Sequence, residues 1–229
     1  MIRYILIALS LGTSQIFADS NYSKEVENFA EELVYTQYQQ SFELTGEQKL
    51  YIKAIPLSER LNLVECSEPL QGHIVGDKIK RKTTIKVSCE GDTPWDTYLR
   101  VKVQTLIPLI ISSHSLNKGE MLNDNNIERI YKAKSKVRGS TFSNTTALTG
   151  VRLKRNISSK KNIRHKDICY VCEDDKVTIT ANKNGLVIKA SGIALTDGNI
   201  GSTVRVKNSR TQRVVVGTVY ALKEVHVTF

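Results

Sequence analysis

Four cysteines, Cys66, Cys89, Cys169 and Cys172, are the residues whose spacing first invites chemistry. Cys169-x-x-Cys172 has the spacing of a thiol–disulfide redox motif and of half a zinc site. A redox motif wants to open a helix, whose N-terminus stabilises a thiolate. Here the run Lys176-Val-Thr-Ile-Thr180 follows, and it is made of strand formers. A zinc site wants a second ligand pair, whereas His73, His114, His165 and His226 are scattered along the chain. Four cysteines allow three connectivities. Proximity favours Cys66–Cys89 and Cys169–Cys172 as structural disulfides, with free thiols, redox chemistry or metal binding as the alternatives. A Cys66–Cys89 bridge would contribute about 3 kcal/mol through chain entropy.

Other catalytic patterns are weak. Asp174-Asp175 is a carboxylate pair, but neighbouring strand residues point to opposite faces, so a turn is its natural home. The sequence has no glycine-rich phosphate loop, no histidines paired at helical spacing and no Gly-x-Ser-x-Gly turn. The expectation is a binding protein: no catalytic residues, no metal, no cofactor, and not an enzyme.

Charge is the stronger signal. The chain carries a formal net charge of +10, and residues 129–166 hold twelve Lys or Arg and no Asp or Glu. Such a stretch can meet anionic lipid, an acidic partner or nucleic acid, or can simply be a solvated basic face. The export signal read below argues against nucleic acid, as does the scarcity of aromatics for base stacking.

These residues need elements to hold them. At the N-terminus Arg3 precedes an apolar run over residues 4–11, and Ala18 stands before Asp19. This is the order of a secretory signal peptide cleaved after Ala18. The run is well short of the roughly 20 residues that span a bilayer, so the mature chain has no membrane span and the location is periplasmic. Export also places the cysteines where disulfides persist.

Ser20 can cap a helix over residues 21–39, with Tyr22, Val26, Phe29, Ala30, Leu33 and Val34 at helical spacing and Glu25, Glu27, Glu31 and Glu32 mostly elsewhere. Alternation then marks strands at Leu50-Ile52-Ala54, Ile85-Val87-Cys89 and Leu99-Val101-Val103. Cys66 lies in a turn-rich segment with Pro69 and Gly72. Trp95, the single tryptophan, covers the edge of this core, with ligand stacking as the alternative. Residues 106–111 read as a strand. The Asn/Asp-rich stretch after His114 reads as turns, with a short helix near residues 126–129. From Lys176 onward short β-rich runs alternate with Asn184-Gly185, Asp197-Gly198, Gly201 and Asn208-Ser209, the signals of hairpins. Such a module is expected to close or twist strongly so that it leaves no bare edges. The fold class is therefore mostly β with a small N-terminal α+β domain. Its divisions are 1–18 (signal), 19–102 (α+β), 103–165 (a β subdomain) and 166–229 (a C-terminal β module).

Several stretches resemble the flagellar basal-body P-ring formation protein family (FlgA). They are Cys66-Ser-Glu-Pro-Leu70, then Pro94-Trp95, then Leu116-Asn-Lys-Gly119-Glu-Met-Leu122 with Ile127, then Gly150-Val-Arg-Leu153 through Ile157. The final run, Gly192 through Val219, resembles it best. The likeness covers nearly all of the chain beyond the signal. The chain departs from the family's glycines at Ser209-Arg-Thr211, near Leu222 and at Cys172-Glu-Asp-Asp175. The resemblance implies a C-terminal SAF domain with a β-clip fold of short strands. It also implies a periplasmic chaperone that binds the flagellar P-ring subunit during assembly around the rod. The β-rich half and the cleft between domains would hold the partner surface, and an open sheet edge could act by strand addition. The alternative is a peptidoglycan- or glycan-binding module, or a pilus-assembly protein with an SAF domain.

Overall fold

The computed structural model describes residues 19–227 apart from 59, 77, 184 and 185. The signal segment and the Asn184-Gly185 turn lie outside the described residues. Two compact units form. One takes the chain to Leu44 and Leu50–Gln104; the other takes Thr45–Lys49 and Thr105–Phe229.

The first unit is one helix on a sheet. Helix α1 (Asp19–Ser41) begins before the expected cap, so Ser20 lies inside it. Tyr22, Val26, Ala30 and Val34 recur at four-residue steps and are buried. Beneath them strands β1 (Lys49–Ala54), β2 (Gln71–Ile74), β3 (Lys82–Cys89) and β4 (Trp95–Ser112) lie in the order β1-β4-β3-β2. Ile85 pairs with Leu99 and Cys89 with Trp95 across an antiparallel ladder. Ile85, Val87, Leu99 and Val101 alternate into the core, as the period of two requires. Truncating a residue such as Ile85 to Ala would cost about 2–5 kcal/mol.

Gly72 departs from the expected turn and lies in β2. A Cβ there would sit 2.8 Å from the Phe29 ring, so its bareness lets the helix approach the strand. The acidic side of α1 also departs from a solvated face. Glu27 is buried and accepts hydrogen bonds from the Leu57 amide and the Lys24 ammonium, each at 2.9 Å. Glu31 accepts one from the Ala54 amide at 2.9 Å.

Strand β4 is a single strand of 18 residues where alternation pointed to two. Gln104 and Thr105 carry no breaker between the two apolar runs, and threonine favours extended backbone.

In the second unit, residues 106–112 of β4 pair antiparallel with β5 (Ile127–Ala133). The helix expected near residues 126–129 is absent. Asn123 accepts the Asn125 amide at 2.9 Å and Asn126 accepts the Asn123 amide at 2.8 Å, closing a turn. Ile127 and Tyr131 then favour a strand. Two turn-bearing segments, one before β5 and one after it, clasp each other. The Gly119 amide donates to the Leu153 carbonyl at 2.7 Å and the Leu116 amide to Ile157 at 2.8 Å. Leu116, Leu122, Leu148, Leu153 and Ile163 fill the core between them. Short strands β6 (Arg152–Leu153) and β7 (Ile168–Cys169) pair there.

Strands β8 (Lys176–Lys183), β9 (Leu186–Ala194), β10 (Thr203–Asn208), β11 (Val214–Ala221) and β12 (Glu224–Val227) close a barrel in the order β10-β11-β12-β8-β9. A parallel pairing of β12 with β8 shuts it, with Glu224 opposite Thr178. Val177, Ile179, Val204, Val206, Val219 and Val225 fill it. Gly201 takes φ of 80°, as a tight turn requires. Gly198 serves packing: a Cβ there would meet Val204 at 2.3 Å. Asn208 accepts the Arg210 and Thr211 amides at 2.9 Å, so its side chain builds the next turn. The fold is mostly β, with its single described α-helix in a small α+β unit.

Candidate functional site

The residues with chemical potential are placed first. Cys66 and Cys89 form a disulfide with Cα atoms 5.8 Å apart. It pins the loop carrying Cys66 to the end of β3. Beside it the Trp95 indole donates to the Val64 carbonyl at 2.9 Å, and the Tyr22 hydroxyl accepts the Cys66 amide at 2.8 Å. Trp95 meets Tyr22 edge-on at 6.2 Å. Trp95 thus covers the core margin.

Cys169 and Cys172 form the second disulfide, with Cα atoms 5.3 Å apart, and both are buried. Strand β8, not a helix, is the next element after them among the described residues. The Asp197 carboxylate lies within 4.8 Å of both. Sulfurs bonded to each other are not thiolate ligands, so this corner acts as a staple. Asp174 and Asp175 split as a turn demands. Asp174 sits at φ of 68°, while Asp175 is buried and accepts the Cys172 amide at 2.8 Å and the Arg152 guanidinium at 2.7 Å. Among the described residues, no cluster of three or more candidate metal ligands contains a histidine. His226, on β12, bonds Glu224 at 3.0 Å, and that bond holds the Glu224 carboxyl below its ordinary pKa, with a Thr180 hydrogen bond adding to it. His165 stacks on Phe142.

The surface features are larger. Strand β10 pairs with β9 only at Gly192, Ile193 and Ala194. Residues 186–190 of β9 therefore pair with β8 on one side and with no strand on the other, among the described residues. Leu186, Val187 and Ile188 on this edge are 64%, 54% and 52% exposed. Successive strand residues face opposite ways, so Leu186 and Ile188 open one face of the ribbon and Val187, beside exposed Lys189, opens the other. On the barrel wall Val214, Val216 and Tyr220 of β11 point outward and are exposed. Sequence reading placed the β9 strand but missed its bare edge. The signal was length: β9 has nine residues and β10 has six.

A second surface feature gathers the basic stretch. Around a concavity of about 530 Å³, β5 supplies Lys132, and the turn after it supplies Lys136 and Arg138. The segment from Arg155 to Arg164 supplies the rest, including Lys160 and Lys161. Buried Asp167 pairs with both Arg155 and Arg164 and anchors them. Lys160 pairs with Glu128 at 2.8 Å.

Residues 107–227 match the family described as chaperone for flagella basal body P-ring formation, and residues 24–105 match the FlgA N-terminal domain. Among solved structures, Salmonella FlgA in its open form matches at 15% identity and a TM-score of 0.44, over 89% of this chain and 93% of that one. Thermotoga maritima FlgA matches at 14% identity and a TM-score of 0.41, over 90% and 71%. No curated protein sequence matches this chain significantly.

Proposed function

The chain belongs to the family of chaperones for flagella basal body P-ring formation, and we propose that it acts in the periplasm by binding the P-ring subunit and shielding it until assembly. The observation that carries this reading is the bare, apolar edge of β9. An extended segment of the subunit adds to residues 186–190 as a further strand. Main-chain hydrogen bonds supply the affinity, and Leu186, Val187 and Ile188 contact alternate side chains of the added strand. Without such an occupant, an exposed apolar edge invites aggregation. The role is binding rather than catalysis, and the placement of the polar groups supports this: the buried carboxylates Glu27, Asp167 and Asp175 are each engaged by cations and backbone amides.

The test replaces Leu186 and Ile188 with Asp. Both are exposed, so the barrel core is untouched. Co-purification with the ring subunit should fall to background and cells should lose P-rings and motility. Undiminished co-purification with normal motility would remove β9 from the reading. Retention instead on purified peptidoglycan, unaffected by the substitutions, would favour a wall-binding module.

A further inference from the structure

The basic concavity on the second unit has a different chemistry from the β9 edge, and its reading does not depend on the chaperone role. Lysines and arginines from two stretches separate in sequence converge on it: Lys132, Lys136 and Arg138 from one, and Arg155 through Arg164 from the other. Two acids answer these seven cations, Asp167 and Glu128. Lys132, Lys136, Arg138 and Lys161 have no acidic partner among the described residues. Charges of one sign around a concave wall reinforce one another's field and draw in an anion.

We propose that this concavity binds an extended acidic segment of a protein partner, with successive Asp or Glu carboxylates meeting the cations. The shape and lining choose among anions. A volume of about 530 Å³ suits a ligand of several residues rather than one small ion. An extended peptide rises roughly 3.3 Å per residue and alternates its side chains, so it presents a carboxylate to each side of the hollow about every 6.6 Å, a density that suits so many cations in one hollow. A membrane surface is disfavoured because the only apolar lining residue, Ile157, is itself buried. Glycan and nucleic acid are disfavoured because no aromatic ring lines the hollow to stack on a sugar or base. Two fixed guanidiniums reduce the ordering cost: Arg155 and Arg164 are already held by Asp167. Asn156, Ser158 and Asn162 add neutral polar groups for the peptide backbone.

The experiment uses the full chain and a fluorescein-labelled decaglutamate probe followed by anisotropy at low and high salt. A triple variant, Lys136→Gln with Arg138→Gln and Lys161→Gln, removes three exposed cations of the hollow. A control variant, Arg205→Gln with Lys207→Gln and Arg210→Gln, removes as many exposed cations from the barrel. The probe should bind, more weakly at high salt. The hollow variant should lose about tenfold in affinity, about 1.4 kcal/mol, while the control changes little. Unchanged thermal unfolding of both variants checks the fold. Equal weakening in both variants would overturn the proposal, because overall charge would then explain binding. So would failure to bind the peptide, and so would capture by phosphatidylglycerol vesicles or purified peptidoglycan that the hollow variant alone abolishes.

Discussion

Replacing Cys66 and Cys89 together with Ala should destabilise the first unit far more than the same change at Cys169 and Cys172 destabilises the second. The two bridges differ chiefly in the loops they close, with sequence separations of 23 and 3. In the chain-entropy treatment the longer loop gives about 3.4 kcal/mol at room temperature and the shorter about 1.6 kcal/mol. The molecule carries its own reporter. Its one tryptophan, Trp95, pairs with Cys89 across the β3–β4 ladder and so senses only the first unit. Urea unfolding followed by Trp95 fluorescence should shift to a midpoint roughly 2.3–3.4 M lower without Cys66–Cys89, for an m-value of about 1–1.5 kcal/mol/M. Losing Cys169–Cys172 should leave that transition nearly in place while far-UV ellipticity reports a smaller loss in the barrel. Coincident Trp95 midpoints with and without the Cys66–Cys89 bridge would refute the reasoning. An equal shift from the other pair would refute it too.

Two further outcomes test local energetics. Lys223 holds φ of 57° in the turn before β12, a left-handed geometry that costs an L-residue roughly 1–2 kcal/mol, of which glycine returns roughly 0.5–1 kcal/mol in unfolded-state entropy. Lys223→Gly should therefore stabilise by about 0.5–1 kcal/mol in thermal unfolding, and a destabilised variant would show that the turn is unstrained. Burial alone would push the Glu27 carboxyl up, but bonding to Lys24 and the Leu57 amide outweighs it and holds the carboxyl below its ordinary pKa. A depressed folded pKa contributes stability above the unfolded value and loses it as pH falls through the folded one. Stability should thus decline with acid from the ordinary carboxylate range downward, with a shallower slope in Glu27→Gln; identical slopes in urea titrations across that range would exclude Glu27 as a source.

Much of this was legible in the residues, and the reasons are specific. The amphipathic spacing of Tyr22, Val26, Ala30 and Val34 and the period-two runs at Ile85 and Leu99 are local signals, and local signals survive folding. What was missed depends on partners distant in sequence. Gly72 looks like a turn residue until Phe29 is known to lie against it. Glu27 looks solvated until Leu57 offers its amide. The bare edge of β9 exists only because β10 stops pairing after three residues. The basic stretch was visible as composition, but its concavity requires the turn after β5 and the segment ending at Arg164 to meet. The glycine departures were legible in a way that turned out informative. Asp174, Gln212 and Lys223 stand at or beside those sites, and each adopts a left-handed φ.

The parallel seam between β12 and β8 has a consequence in time. The barrel opens with β8 and closes with β12, its last strand, 46 residues later by the pairing of Thr178 with Glu224. Until β12 arrives, β8 and β11 each keep an unpaired side. Contacts of this span make folding slow, because loop closure must precede the interactions that reward it. A chain delivered N-terminus first completes its helix and first sheet while the barrel still waits. The barrel's strands are thus the last to lose their open edges, at the stage when an unguarded edge does most harm.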